Sequence, residues 1–372
     1  VTTLVVSDLH LGARGERDVL RRRAPLAALV AALGGVSRLV LLGDVIELRQ
    51  GPRREAMAAA RGPLRAIGAA LAPGTPVTLV PGNHDHMLLS PWLARRAETA
   101  APPLGTHSRV DWRAPEPLAA VADWLAPAEL EVLYPGCRLR DDVVALHGHY
   151  GDRHTTVPML ERLGAGVTAR IAGEPPGGPR RAEDYEAALA PVYAWIDALA
   201  QTGGPQLGAG SDGASAHARS ALTGPRRGLR RRALGAGFAA AVAIANRAGI
   251  GPLSADLSSP ALRRAGLLAA GEVGLRLGVE ARWLVFGHTH RAGPLTGDDA
   301  AQWRTITGAR LINCGSWIDE PGFVGSDPAR SPYRAGFAVT LDESDPVADP
   351  QLVNLLDGSA PDDLRGRWPA PG

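Results

Sequence analysis

The 372-residue chain has no lysine; every one of its 40 basic residues is arginine. A lysine Schiff base, a P-loop lysine and a lysine phosphate ligand are therefore excluded. The accompanying wealth of Ala, Gly and Pro points to GC-rich coding as the origin of this bias. Cysteine is also scarce. Cys137 and Cys314 are too few for a disulfide framework and lack zinc-binding spacing, so both are expected to be small buried residues of a protein in a reducing, cytoplasmic compartment. Aromatic residues make up only 5% of the chain, which leaves no stacking stripe for single-stranded nucleic acid. A net charge of +2 gives no global basic field for a polyanion. No 18-residue apolar run occurs: the longest stretch, Ala233–Ala245, ends at Asn246-Arg247 and is shorter than a bilayer span of roughly 20 residues. The sequence opens on an apolar strand with no basic-then-apolar leader.

Over the first 150 residues, short Val/Leu-rich runs alternate with Ala/Arg/Leu stretches of helical composition. Strands are predicted at Thr3–Val6, Arg38–Leu42, Pro76–Val80 and Val143–Leu146, with helices at Glu16–Leu33 and Arg54–Leu71. Strand–helix–strand order of this kind specifies an α/β layered sheet. Residues 151–280 change in texture to helix-like segments (Ala182–Ala200, Leu234–Ala248, Pro260–Leu277) broken by Gly/Pro/Ser runs near 173–180 and 203–225, and read as a mainly helical insertion. Strand character returns at Arg282–Phe286, Leu311–Cys314 and Gly336–Leu341. The core is thus expected at 1–150 and 281–343, and residues 344–372, rich in Asp and Pro, are expected to form a peripheral tail.

Five segments carry the chemistry: Asp8-Leu9-His10, Gly43-Asp44, Gly82-Asn83-His84-Asp85, His147-Gly148-His149 and Gly287-His288-Thr289-His290. Nearly all follow an apolar strand-like run, and in open α/β sheets ligands bind beyond the carboxyl ends of strands. Each residue alone has an ordinary explanation, since Asp favours strand-end turns and Asp85 suits a helix N-cap. Taken as a set, they would gather carboxylates, imidazoles and an amide at one edge. Oxygen and nitrogen ligands without a thiolate suit paired divalent cations such as Mn, Fe or Zn, and two such ions form a clamp for displacement at phosphorus.

In this order the five segments resemble the calcineurin-like metallophosphoesterases, over roughly residues 1–150 and 281–341. The resemblance implies a four-layer α/β/β/α sandwich with an inserted, mainly helical cap at 151–280. It also implies two divalent metal ions, Mn²⁺ foremost. Asp8, His10 and His290 would hold the first, Asn83, His147 and His288 the second, and Asp44 would bridge them. A hydroxide shared by the ions would attack phosphorus. His84 would stabilise the transition state or protonate the leaving oxygen, with Asp85 accepting its other N–H and fixing the tautomer.

Substrate contacts are expected from His149, Arg153 and His154, which lie beyond a metal ligand; a guanidinium matches phosphate bidentately. Gly43-Asp44-Val45-Ile46-Glu47 departs from the Gly-Asp-x-x-Asp-Arg-Gly of the superfamily's Ser/Thr phosphatases. It is closer to bacterial UDP-2,3-diacylglucosamine pyrophosphatases, although His84 stands where that subgroup has Arg. The expected activity is hydrolysis of a phosphodiester or pyrophosphate bond in a lipid or nucleotide-sugar type substrate. A nuclease or cyclic-nucleotide phosphodiesterase is the enzymatic alternative, and a silent metal-binding scaffold the non-enzymatic one. Arg226, Arg227, Arg230, Arg231 and Arg232 precede the apolar run Ala233–Ala245, a pattern that fits either peripheral association with an anionic membrane or an Arg-rich loop leading into a core helix.

Overall fold

The computed structural model describes residues 2–99, 101–202, 229–325 and 327–358. Among these residues ten strands occur, interspersed with helices. They are β1 (Thr2–Val6), β2 (Arg38–Leu42), β3 (Pro76–Val80), β4 (His107–Arg109), β5 (Glu129–Arg140), β6 (Val143–Leu146), β7 (Trp283–Phe286), β8 (Arg310–Asn313), β9 (Phe337–Asp342) and β10 (Gln351–Asn354). Hydrogen bonds connect them in the order β10-β9-β1-β2-β3-β5-β6-β7-β8, with β4 paired to β5. β1, β2, β3 and the start of β5 run parallel, as do β6, β7 and β8, while β9, β10 and the β5–β6 pair are antiparallel. The protein is therefore a mixed α/β structure around a central sheet.

β1, β2, β3, β6 and β7 lack polar alternation because both of their faces are buried. Leu4 and Val6 of β1 join a large core cluster with helical residues, whereas Val5 between them joins a second cluster. β2 divides the same way, Leu39 and Leu41 against Val40 and Leu42, and so does β7, Leu284 and Phe286 against Trp283 and Val285. The second cluster unites Val5, Val40, Leu42, Val80, Val339 and Leu341 with Cys137, Leu139, Val143, Ala145, Val285, Ile312 and Cys314. Both cysteines are free and fully buried.

β5 is the element the sequence conceals. Its first residues pair with β3 (Leu130 opposite Val77) and its last with β6 (Cys137 opposite Ala145), so one strand joins the two parallel sets. Gly136 sits where a side chain would collide with Leu146 and the Ala145 carbonyl. Part of the expected tail is also structured, because Gln351–Asn354 adds to β9 as β10. The first expected helix begins later, at Arg23 rather than Glu16, after two short 3₁₀ turns.

Among the described residues, four α-helices lie between β6 and β7: Leu160–Ala172, Ala182–Thr202, Leu229–Arg247 and Ser259–Arg276. The first of these was not expected from the sequence. Buried polar groups tie the segment to the strand-bearing part. Glu186 accepts hydrogen bonds from the Tyr134 hydroxyl (2.5 Å) and the Tyr150 hydroxyl (2.8 Å), and lies 2.9 Å from His86 Nε2. Arg49 donates to Glu161 at 2.6 Å, and Arg53 pairs with Asp197. The side chains of the Arg226–Arg232 run and the loop near 203–225 lie outside the described residues. No helix among the described residues is long and apolar enough to cross a membrane.

Candidate metal centre

Asp8 follows β1, Asp44 follows β2, Asn83 follows β3, His147 follows β6 and His288 follows β7. The loops are laced together by backbone bonds: Asp8 N–H donates to the Gly43 carbonyl (3.0 Å), His10 N–H to that of Asp44 (2.8 Å) and Gly287 N–H to that of His147 (2.9 Å). Asp8, His10, Asp44, His288 and His290 all have positive φ, between 45° and 66°. Left-handed backbone in residues other than glycine costs free energy and collects at functional sites. Glycine provides the close approaches: a Cβ on Gly82 would fall on the Asp44 carboxylate and the His147 ring, and one on Gly287 would fall on Ser7 and Asp8.

The residues converge in three overlapping groups, Asp8 with His10 and His290, Asp44 with His147 and His288, and His10 with Asp44 and His84, each with ligand atoms within 4.8 Å of one another. Every imidazole has one nitrogen tethered. His10 Nδ1 and His84 Nδ1 both meet Glu47 Oε2, at 3.0 and 2.7 Å. His147 Nδ1 donates to the Leu42 carbonyl (2.8 Å), His288 Nε2 to Asp152 (2.7 Å) and His290 Nδ1 to Glu320 (2.9 Å). These bonds fix the tautomers and aim the remaining ring nitrogens inward, as acceptors fix metal-ligating histidines.

The inward atoms do not satisfy one another. His10 Nε2 and His290 Nε2 face each other at 3.0 Å. His147 Nε2 is buried, has no hydrogen-bond partner among the described residues, and lies 3.2 Å from Asp44 Oδ2. The Asn83 amide can turn either way: with its NH₂ inward it donates to His288 Nδ1 (3.1 Å) and Asp44 Oδ2 (3.2 Å) and accepts from Arg49 Nη1 (2.6 Å), and with its oxygen inward it opposes those two acceptors as a metal ligand would. Opposed lone pairs of this kind need cations or extra protons. Burial opposes protonating His147 and His84, yet Asp44 beside the first and Glu47 beside the second push both up to about 9. Burial likewise disfavours the Asp44 carboxylate, but His147 and His84 hold it well below the usual range. A donor set of carboxylates, imidazoles and an amide oxygen fits hard or borderline divalent cations.

Residues 1–168 match the family model described as calcineurin-like phosphoesterase. That match marks the protein as a metal-dependent phosphoesterase, a hydrolase. The match takes in Asp8, His10, Asp44, Asn83, His84 and His147; His288 and His290 lie beyond it and reach the same centre through β7. No curated protein matches the sequence. Among solved structures, a cold-active protein-tyrosine phosphatase of a psychrophilic Shewanella species shares 13% identity, with 92% of this chain and 75% of that chain covered. Its TM-score is 0.27.

The phosphoesterase differs from the sequence expectation in its supporting residues. Asp85 does not take the His84 N–H. Its oxygens accept the backbone N–H groups of Val45 (2.7 Å) and Gly82 (2.6 Å), locking two ligand loops together, while Glu47 holds His84. Nor does Asp85 cap the following turn with its side chain. The expected substrate contacts also point elsewhere. Arg153 forms a two-pronged pair with Glu174, His154 Nε2 lies 2.7 Å from the Tyr185 hydroxyl, and His149 Nε2 lies 3.0 Å from the Tyr134 hydroxyl. None of the three lines the cavity of about 270 Å³ over the centre, whose wall includes Asn83, His84, His288 and His290. Glu320, Asp152 and Arg49 were not anticipated. Asp152 had a faint signal in its place five residues after His147; Glu320 had none.

Proposed function

We propose that the enzyme hydrolyses a phosphodiester or phosphoanhydride bond in a lipid or nucleotide-sugar type substrate. The observation that carries this reading is two ligand groups adjoining through Asp44 beneath one cavity. When bound there, by Asp8, His10 and His290 on one side, Asn83, His147 and His288 on the other, and Asp44 between, two divalent cations supply Lewis acidity and acidify water. Mn²⁺ is the proposed pair, with Fe or Zn as alternatives. His84, whose Nδ1 is held by Glu47, keeps Nε2 to stabilise or protonate the leaving oxygen.

Around these polar groups the cavity wall is largely apolar, with Val157, Met159, Leu262, Leu267, Phe286 and Trp303. Such a wall suits a phosphorus atom bearing organic groups on both sides better than a bare monoester. The helices between Leu160 and Arg276 are read as a cap supplying part of that wall. The shared apolar cluster of β1, β2, β3 and β9 with β5 to β8 is read as the seam of a four-layer sandwich. Cytoplasmic location, with peripheral contact to an anionic membrane through the Arg226–Arg232 region, completes the proposal.

The test is release of p-nitrophenol from bis-p-nitrophenyl phosphate and p-nitrophenyl phosphate with Mn²⁺, Fe²⁺ or Zn²⁺, before and after chelation. Faster turnover of the diester, abolished by chelator, is the expected result. Preference for the monoester overturns the diester reading. A panel of acylated nucleotide-sugars then narrows the substrate.

A further inference from the structure

Two arginines on the wall of the catalytic cavity, Arg263 and Arg291, share one carboxylate. Asp298 is taken up by Arg291, whose Nη2 and Nη1 donate to Oδ1 and Oδ2 at 2.6 and 3.1 Å, and by the Leu295 N–H at 2.9 Å. Arg263 Nη1 stands farther off, 3.5 Å from Asp298 Oδ1. Its Nη2 donates to the neutral amide oxygen of Gln302 at 3.2 Å, and its buried Nε has no hydrogen-bond partner among the described residues. A guanidinium has five N–H donors, so Arg263 is under-used, and one of the two positive charges is not neutralised by Asp298. Arg291 is braced over the Trp303 ring, 5.5 Å from its centroid, so the pair is held in place.

The location gives this surplus charge its meaning. The cavity that Arg263 and Arg291 line also exposes His288, His290 and Asn83. The same two arginines border a second cleft of about 320 Å³ that includes Arg330. A molecule seated with its phosphorus over the histidines can therefore extend past both guanidinium groups.

We infer that Arg263 and Arg291 form a binding site for a second anionic group of the substrate, a phosphoryl group set beyond the scissile phosphorus. Guanidinium groups match phosphate oxygens in geometry and charge. This assignment rests on the phosphodiester reading above and narrows it to substrates with at least two phosphoryl groups.

The experiment compares p-nitrophenyl thymidine 5′-phosphate with its 3′-phosphorylated form, two esters with the same scissile bond that differ by one anionic group. With the Mn²⁺-loaded enzyme, KM for the phosphorylated ester is expected to be about tenfold lower at similar kcat. Arg263→Gln is expected to bring the ratio of the two KM values to within about twofold of one, and Arg263→Lys to an intermediate value. Arg310→Gln, which removes a surface arginine paired with Asp349, serves as the control and keeps the wild-type ratio. A wild-type ratio of one, or an Arg263→Gln ratio equal to that of the wild type with both esters turned over, overturns the assignment. If neither ester is hydrolysed, the phosphodiester reading falls, and this inference with it.

Discussion

Replacing Glu47 with Gln would keep the shape of the side chain and remove its charge. Glu47 Oε2 receives both His10 Nδ1 and His84 Nδ1, and Oε1 accepts the Arg49 N–H at 3.0 Å. His84 and His10 hold this carboxyl below the ordinary range although burial favours its neutral form. Losing such a support costs a metal site roughly 10–100-fold in affinity or activity. Glu47→Gln is thus expected to lower kcat by about that factor and to weaken metal retention in elemental analysis. Asp85→Asn should behave differently. Burial and the nearby Asp44 push Asp85 up to about 6, and its bonds go to backbone. Its loss should show first as reduced stability, about 1–3 kcal/mol in denaturant melts for poorly satisfied buried donors. A fall in kcat at unchanged stability would return Asp85 to the role of His84's partner.

At the scale of elements, the buried pair Arg49–Glu161 connects the loop after β2 to helix Leu160–Ala172, with both side chains at most 5% exposed. Glu161→Gln removes the hydrogen-bonded countercharge of the guanidinium beside Asn83 and leaves only the more weakly acting Glu47. A loss of roughly 3 kcal/mol is expected, since breaking a buried ion pair from one side typically costs 3–5 kcal/mol. The unfolding midpoint in urea measures it. The elements also show what could be read in advance. β2, β3 and β6 were legible to the residue because each is a Val/Leu run bounded by loop residues, and the ligand segments were legible because they sit where such runs stop. β5 was not, because Tyr134-Pro135-Gly136 has the local signature of a turn, which pairing with β3, β4 and β6 overrides. The partners of the ligands were hidden for a different reason. Glu320 lies 30 residues from His290, and Glu174 lies 21 residues from Arg153, too far for any local pattern to reveal that one would orient a ring and the other divert a guanidinium.

For the whole molecule, charge in the centre couples metal loading to pH. Without cations, three of the histidines hold protons above the usual imidazole range: against burial, Asp44 pushes His147 and Glu47 pushes His84 up to about 9, and Glu320 and Asp8 raise His290 well above its ordinary value. A cation must displace those protons, because the ligating ring is neutral. Metal affinity is therefore expected to fall as pH drops below about 9, the His147 value. Titration calorimetry in buffers of different ionisation enthalpy should register proton release at pH 7. Equal heats after correction for dilution would mean the rings are already neutral. Metal bound only by the folded state also raises the melting temperature, so chelator should lower it.

A strand that belongs to both parallel sets has one further consequence. Because β5 is bonded to β3 at one end and β6 at the other, neither half of the protein can come apart without breaking bonds that the other half also uses. Its central amides should be among the last to exchange with deuterated solvent, and the two halves should melt as a single cooperative unit.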